Sequence, residues 1–375
     1  MGAFLAITPE FQSTVYMPNT PERRPNMQQI GQAAGVSKSA VSLAMRNDPR
    51  IPESTRLRIQ TIAREMGYRR NPVVDSLMTQ LRAGRQPTFQ ANIGLINCSP
   101  LKDLKGNHTF RRLREGVARR AEDLGYGIEE FWLQQPDMRP QRLKQIVETR
   151  GIRALILIAA LSPDTIDRGY VDFWYDFACA VIGVTHLNNK LNCSSNDQYL
   201  TARRATEKVF ELGYKRPMLV VPPDDDALLE DKFSAGFYSA ARRLAPKDQL
   251  AVVALDETDP GSALLAIRQQ KPDVVITNKS ELYNALQDDG VSIPKDLGLV
   301  HLDWHDALPN MAGMRQNNRI VGSAGVDLVV GQLQKNEFGS QEFPKVVQIE
   351  SVWVDGPSIK VQKAATKKKV ATAPC

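Results

Sequence analysis

Between residues 91 and 360 the chain alternates short apolar runs with amphipathic stretches, and no other feature restricts its fold as strongly. The apolar runs are Ile93–Asn97, Ala154–Ala159, Ala180–Val184, Met218–Val221, Leu250–Leu255, Asp273–Thr277 and Leu299–Leu302. Each has the length of a strand. Between them, Phe110–Leu124, Gln141–Thr149, Leu200–Leu212, Phe233–Leu244, Gly261–Gln269 and Glu281–Gln287 carry apolar residues at helical spacing. Runs apolar throughout belong to strands covered on both faces, and a helix between successive strands makes them parallel. The expected core is therefore α/β. Its length of about 270 residues approaches the limit of one hydrophobic core, so two lobes are expected, with ligands at the carboxyl ends of the strands or in the cleft between lobes.

Upstream the pattern changes. Met27, Ile30, Ala33 and Ala34 share a helix face, Gly35 breaks the run, and Ser37 is placed to cap a second helix that Pro49 prevents from continuing. A third helix follows Pro52, with Ile59, Ile62, Ala63 and Met66 on one side and Gly67 as its stop. Asn71-Pro72 reads as an N-cap followed by proline at the first helical position, opening a fourth helix to about Gln80. The expected boundaries are a disordered extension over 1–25, a small all-α helix-turn-helix domain over 26–70, a helix and linker over 71–90, the two-lobed core over 91–360 and a disordered basic tail over 361–375.

Charge locates a partner. The net +6 is uneven: residues 22–86 hold twelve Lys and Arg against five Asp and Glu, and Lys360, Lys363 and Lys367 to Lys369 add five more positives, which leaves the rest at −6. A basic head on an acidic body points to a polyanion at the head alone. On the second helix, Val41, Ala44 and Met45 face inward. The opposite stripe is Ser39, Ser42, Leu43 and Arg46, with Lys38 at the helix start. Short polar groups, one apolar side chain and cations at a helix N-terminus suit the major groove, where base edges offer hydrogen bonds and thymine a methyl. The fourth helix carries an apolar strip, Val73, Val74, Leu77, Met78 and Leu81, that needs a partner, and a second copy of the chain is the simplest one.

The run Met27-Gln-Gln-Ile-Gly-Gln-Ala-Ala-Gly-Val-Ser-Lys-Ser-Ala-Val-Ser-Leu-Ala-Met-Arg46, then Ile51-Pro-Glu-Ser-Thr-Arg56 and Ala63-Arg-Glu-Met-Gly-Tyr-Arg-Arg-Asn-Pro72, resembles the head of the lactose-repressor (LacI/GalR-type) family of transcriptional regulators. The resemblance continues through Arg114-Glu-Gly116, Glu211-Leu-Gly-Tyr-Lys-Arg216, Ala235-Gly-Phe237, Val291-Ser-Ile-Pro-Lys-Asp296 and Arg315-Gln316. It implies a two-lobed, periplasmic-binding-protein-like core, and a homodimer binding a pseudo-palindromic DNA operator under control of a small-molecule effector. It also implies base contacts from Lys38, Ser39, Leu43 and Arg50, phosphate contacts from Ser42, Arg46, Thr55 and Asn71, and a minor-groove wedge at Leu77.

The body departs from the family where its ligand is held. Phe233 stands where the family has a clamping arginine, and Lys279 where it has an aspartate. Without the arginine fork and the carboxylate a neutral sugar loses its usual partners, and Lys279 suggests an anionic effector. Phe110, Asp303 and Trp304 are expected to line the cleft by position.

Enzyme signals are missing: no GxGxxG follows a strand, there is no Walker loop, and Gly322-Ser-Ala-Gly325 has the wrong spacing for a nucleophile elbow. His301, Asp303 and His305 lie at a strand end rather than on a helix, which argues against a metal site. Asp224-Asp-Asp226 after two prolines is expected to cap a loop in water. No cofactor, metal or membrane partner is implied. Four cysteines without CxxC spacing, and no apolar window of about 18 residues, fit a cytoplasmic protein. The competing readings are a solute-binding protein for transport and an enzyme on the same scaffold.

Overall fold

The structure, a computed structural model, describes residues 27–45, 47–66, 89–104, 106–159, 170, 173–184, 191–242, 253–254, 261–339 and 341–362. The chain forms two compact units, divided between Arg82 and Ala83.

In the first unit, α1 (Met27–Ala34) reverses into α2 (Lys38–Ala44), and α3 (Glu53–Glu65) packs across both. The reversal needs a residue with a left-handed backbone, and Gly35 supplies it at φ +65°. Ser37 sits in extended backbone and caps α2, its hydroxyl accepting from the Ala40 N–H at 3.2 Å. At the other end of α2, the Gln60 amide donates to the Ala44 carbonyl (2.8 Å) and to Asn47 Oδ1 (2.7 Å), satisfying a carbonyl that the helix end leaves unpaired. The core is Ile30, Ala34, Val41, Ala44, Ile59 and Ala63, none more than 1% exposed. Ala33, expected on the same face as Ala34, points to solvent.

The second unit has two lobes. The first contains β1 (Ala91–Asn97), α4 (His108–Asp123), β2 (Tyr126–Trp132), α5 (Pro140–Thr149), β3 (Ala154–Ile158), β4 (Ala178–Ile182) and β5 (Asn192–Asn196). The second contains α6 (Gln198–Glu211), β6 (Pro217–Val221), α7 (Pro223–Leu228), α8 (Lys232–Ala241), β7 (Val253–Ala254), α9 (Gly261–Gln270), β8 (Val274–Thr277), α10 (Glu281–Asp288), β9 (Gly298–His301) and β10 (Ala312–Arg315). The chain returns to the first lobe for α11 (Asn318–Lys335) and β11 (Val346–Ile349), then crosses again for β12 (Val352–Val354). Each lobe is built on a six-stranded sheet, ordered β11-β5-β4-β3-β1-β2 and β12-β10-β9-β8-β6-β7. All pairings are parallel except β10 with β12.

Alternate residues of each central strand serve opposite faces, as strand geometry requires. Ile156 and Ile158 pack beneath α4 and α11, while Leu155 and Leu157 pack beneath α5 and the aromatic group Tyr170, Phe173 and Trp174. Helices α4 and α11 approach backbone to backbone: a Cβ on Gly116 would lie 2.0 Å from the Arg319 carbonyl oxygen, and one on Gly322 2.2 Å from that of Leu113. These glycines are required by contact.

The alternation predicts the central strands and most helices but misses β2, β5, β10, β11, β12, α7 and α11, and two of these lack the pattern it relies on. Strand β5 reads Asn-Cys-Ser-Ser-Asn, with Asn192, Ser194 and Asn196 turned inward and no apolar signal. Helix α11 buries one half of its circumference, but that face carries Asn318, Gly322, Gly325 and Gln332 while Ile320 is exposed on the other, so its apolar stripe is weak. The expected acidic loop is instead the first turn of α7. Asp226 is buried there, accepting from the Phe233 N–H (3.1 Å) and from the Ser234 N–H (3.3 Å) and hydroxyl, which anchors the start of α8.

Candidate DNA-reading helix and inter-lobe cleft

On α2, Lys38 and Ser39 are exposed at the N-terminal turn, and Ser42 and Leu43 are half-buried one turn further on. The free end of a capped helix carries unpaired N–H groups and partial positive charge, so this turn favours anions and hydrogen-bond acceptors. Thr55 is half-buried in the first turn of α3. Arg50 is exposed and forked onto Asp48, with Nε at 2.9 Å and Nη2 at 2.8 Å from the two carboxylate oxygens. An exposed pair of this kind is weak, so the guanidinium can exchange it for another anion. Arg46, Asn71, Leu77 and the expected fourth helix lie outside the described residues.

In the second unit the three lobe crossings run side by side and are stitched together. The Asn317 amide donates to the Glu350 carbonyl (2.7 Å), the Thr201 and Ser351 hydroxyls are 2.7 Å apart, and Gln198 and Gln316 exchange amide hydrogen bonds at 3.1 and 3.2 Å. Beside this hinge lies a cavity of about 240 Å³. Asn107, Thr109, Phe110, Gly183, Val184 and Asn196 reach it from the first lobe, and Asp225, Leu229, Phe233, Asn278 and Asp303 from the second.

Along one rim the lobes touch directly. The Thr109 hydroxyl donates to Asp303 Oδ2 at 2.9 Å, Arg112 lies 3.4 Å from Asp306, and the His108 and His305 rings stack with centroids 4.2 Å apart. Burial, then the nearby His305, lowers both His108 and His301 to about 4. Burial also pushes the Asp303 carboxyl above the usual carboxylate range, with the Thr109 hydroxyl opposing it. His301 Nδ1 accepts from the Asp303 N–H at 3.0 Å, leaving Nε2 buried and unpartnered. Among the described residues no group of three His, Cys, Asp or Glu is arranged to hold a metal.

Comparison with known proteins fits both units. The family model for bacterial regulatory proteins of the lacI family matches residues 26–71, and the model for periplasmic binding proteins and the sugar binding domain of the LacI family matches residues 99–368. The chain belongs to the LacI family. A relative, the HTH-type transcriptional regulator PtxS of Pseudomonas plecoglossicida, is 22% identical over 349 residues, covering 87% of this chain and 94% of that protein. Similar solved structures include the transcriptional regulator CelR in complex with cellobiose (16% identity, 89% of this chain and 100% of that one, TM-score 0.53). Another is the lac repressor dimer bound to operator and an anti-inducer (16%, 90% and 99%, TM-score 0.53). A regulator-like protein from Staphylococcus haemolyticus covers 72% of this chain and 99% of its own at TM-score 0.57 and 18% identity. This LacI-family chain is thus a transcriptional regulator with a helix-turn-helix head and a periplasmic-binding-type body. Among its described residues no helix is long and apolar enough to cross a membrane.

Within this LacI-family body the expected ligand residues divide. Phe110 and Asp303 line the cleft. Phe233 borders it but is only 3% exposed, its ring held in the second-lobe core. Two expectations are corrected. Lys279 is not offered to an anion, because its Nζ lies 3.1 Å from Asp225 Oδ2, which also accepts from the Asn278 amide at 2.6 Å. Trp304 is turned into the second-lobe core among Leu297, Leu299 and Met311, its indole N–H donating to the Met311 carbonyl at 2.7 Å. The Arg315 guanidinium lies over its ring, 4.6 Å from the centroid. The polar lining also includes Asn107, Asn196, Gln198, Asp225, Asn278, Gln316 and Asn318. Of these only Gln316, inside a family motif, and Asn278, beside Lys279, carry a signal in the sequence.

Proposed function

We propose that this chain is a repressor that binds a pseudo-palindromic operator as a homodimer, gated by a small molecule in the inter-lobe cleft. One observation carries the reading: a Ser37-capped helix exposes Lys38 and Ser39 at its N-terminal turn on a unit with its own core. The same chain holds a polar-lined cavity between two hinged lobes. A ligand that fits the cleft differently in two lobe arrangements shifts their populations by that difference in affinity, and the heads are the output. Lys38, Ser39, Leu43 and Arg50 would meet base edges, Ser42, Arg46, Thr55 and Asn71 phosphates, and Leu77 the minor groove. The likeness to a lac repressor dimer on its operator supports the two-fold arrangement.

The test is a binding isotherm on an operator selected from random DNA, measured from about 50 to 200 mM salt. Affinity falls steeply with salt, Leu77→Ala lowers it on the selected site, and the bound species contains two chains. A flat salt response or a chain retaining no DNA would overturn the reading and leave a solute-binding protein as the alternative.

A further inference from the structure

The cleft has a chemical bias that runs against an anionic effector. Its described lining contains two carboxylates, Asp225 and Asp303, and no lysine, arginine or histidine. Asp225 is balanced from outside the lining by Lys279, with both Lys279 and Asn278 bound to the same oxygen, Oδ2. Asp303 has no such balance: its carboxylate meets the Thr109 hydroxyl, a neutral donor. Burial raises its pKa, opposed only by the Thr109 hydroxyl and by the nearby His305, which lies outside the lining.

The amides around these carboxylates add acceptors. Asn196 is 6% exposed, and its Nδ2 is committed to Asn318 Oδ1 at 2.7 Å, which leaves its Oδ1 buried with no partner. Asn278 must present Nδ2 to Asp225, because a carboxylate only accepts, and its Oδ1 is likewise buried and unpartnered. Gln198 and Gln316 spend their amide groups on each other. A buried acceptor left unmade is costly, so two such oxygens on opposite walls mark places where a donor is missing. The remaining lining combines the uncharged Asn107, Thr109 and Asn318 with the apolar Phe110, Leu113, Val184 and Leu229.

We infer that the cleft selects a small cationic ligand, one carrying a protonated amine that sits against Asp303, with further N–H or O–H donors reaching Asn196 and Asn278. The inference rests on the cleft being the effector site. Two sources share this chemistry, an amino sugar and an aliphatic diamine. Either would bring positive charge where the protein supplies none, and would span both walls, so that binding holds the lobes together.

The experiment is calorimetric titration of the full chain, without DNA, using glucosamine, glucose and glucose 6-phosphate as one matched series, and putrescine, 1,4-butanediol and succinate as the other. In at least one series the amine binds at least about tenfold more tightly than its neutral and anionic counterparts. The series that responds identifies the source. Asp303→Asn, which keeps an acceptor for Thr109, weakens the amine by about tenfold, while Lys279→Gln strengthens it several-fold by freeing Asp225. A merely structural role for Lys279 would weaken binding instead. Equal or tighter binding of a neutral or anionic member, or no binding of either amine, overturns the inference. Operator binding is measured separately on the same preparation. A chain that holds its operator but prefers glucose refutes the inference alone, and one that binds the amine but no DNA refutes the regulatory reading alone.

Discussion

The helical head and the two-lobed body solve the same problem, presenting polar groups to a ligand, with opposite use of the chain. In the head the groups proposed to meet base edges come from one seven-residue helix and the turn after it, so side chains close in sequence would make that surface. In the body the groups come from segments far apart: Asn278 reaches Asp225 across 53 residues, Asn196 reaches Asn318 across 122, and Thr109 reaches Asp303 across 194. A locally built site can change its surface without disturbing its core. A site assembled from distant segments uses the same hydrogen bonds to hold the fold and to shape the pocket.

The largest expected effect tests whether the two regions are independent. Ile59→Ala removes a fully buried side chain from a core of six, at a cost of about 2–5 kcal/mol. Few neighbours are available to close the cavity, so the head unfolds and operator binding is lost. Calorimetry then shows the body melting at its original temperature. A single transition shifted as a whole would mean that the regions fold as one.

Acidification separates them next, because all four histidines, His108, His186, His301 and His305, lie beyond the head. His301 is held near 4 in the folded chain against about 6.5 when unfolded, so the unfolded state binds more protons between those values. The His301 contribution to the body's stability is complete above pH 6.5 and falls as pH drops towards 4, by up to roughly 3 kcal/mol, while the raised Asp303 carboxyl acts in the opposite sense. His108 shifts the same way and, being more exposed, contributes less. The head keeps its stability over pH 7 to 5. His301→Asn, which retains an acceptor for the Asp303 N–H, flattens the body's denaturant midpoint between those pH values.

Asp226→Ala has a smaller effect. It strands the Phe233 and Ser234 N–H groups at the start of α8 and destabilises the body by about 1–3 kcal/mol, read as a lower urea midpoint. Smallest in stability is Ser39→Ala in the head, expected within about 0.5 kcal/mol because the side chain is exposed. It nonetheless weakens binding to the selected operator. A comparable stability loss at Ser39 would end the contrast between a surface built locally and one built through the fold.

The same contrast explains what was legible beforehand. The head reads directly from sequence because helix periodicity, the Gly35 turn and the Ser37 cap are local signals, and the face opposite Val41 and Ala44 follows once those are placed. The central strands of the body read equally well, being apolar on both faces. Strand β5 and helix α11 do not, since a strand of asparagine and serine and a helix whose buried face carries asparagine, glycine and glutamine lack the expected patterns. Three acidic residues in a row look solvated, yet Asp226 is buried because the backbone donors of α8 face it.

The sequence by itself determined the helical head, the α/β alternation of the central body, the charge on the head and the family. Propensity, capping and periodicity depend on neighbours within a few residues. Only the tertiary structure decided the chemistry of the cleft. It paired Lys279 with Asp225, turned Trp304 into the core, left Asp303 with only a neutral hydroxyl as its hydrogen-bond partner, and left the buried amide oxygens of Asn196 and Asn278 without a partner. Each outcome depends on which strand ends the sheet order brings together, and electrostatics between them acts over ångströms of space rather than positions in the chain.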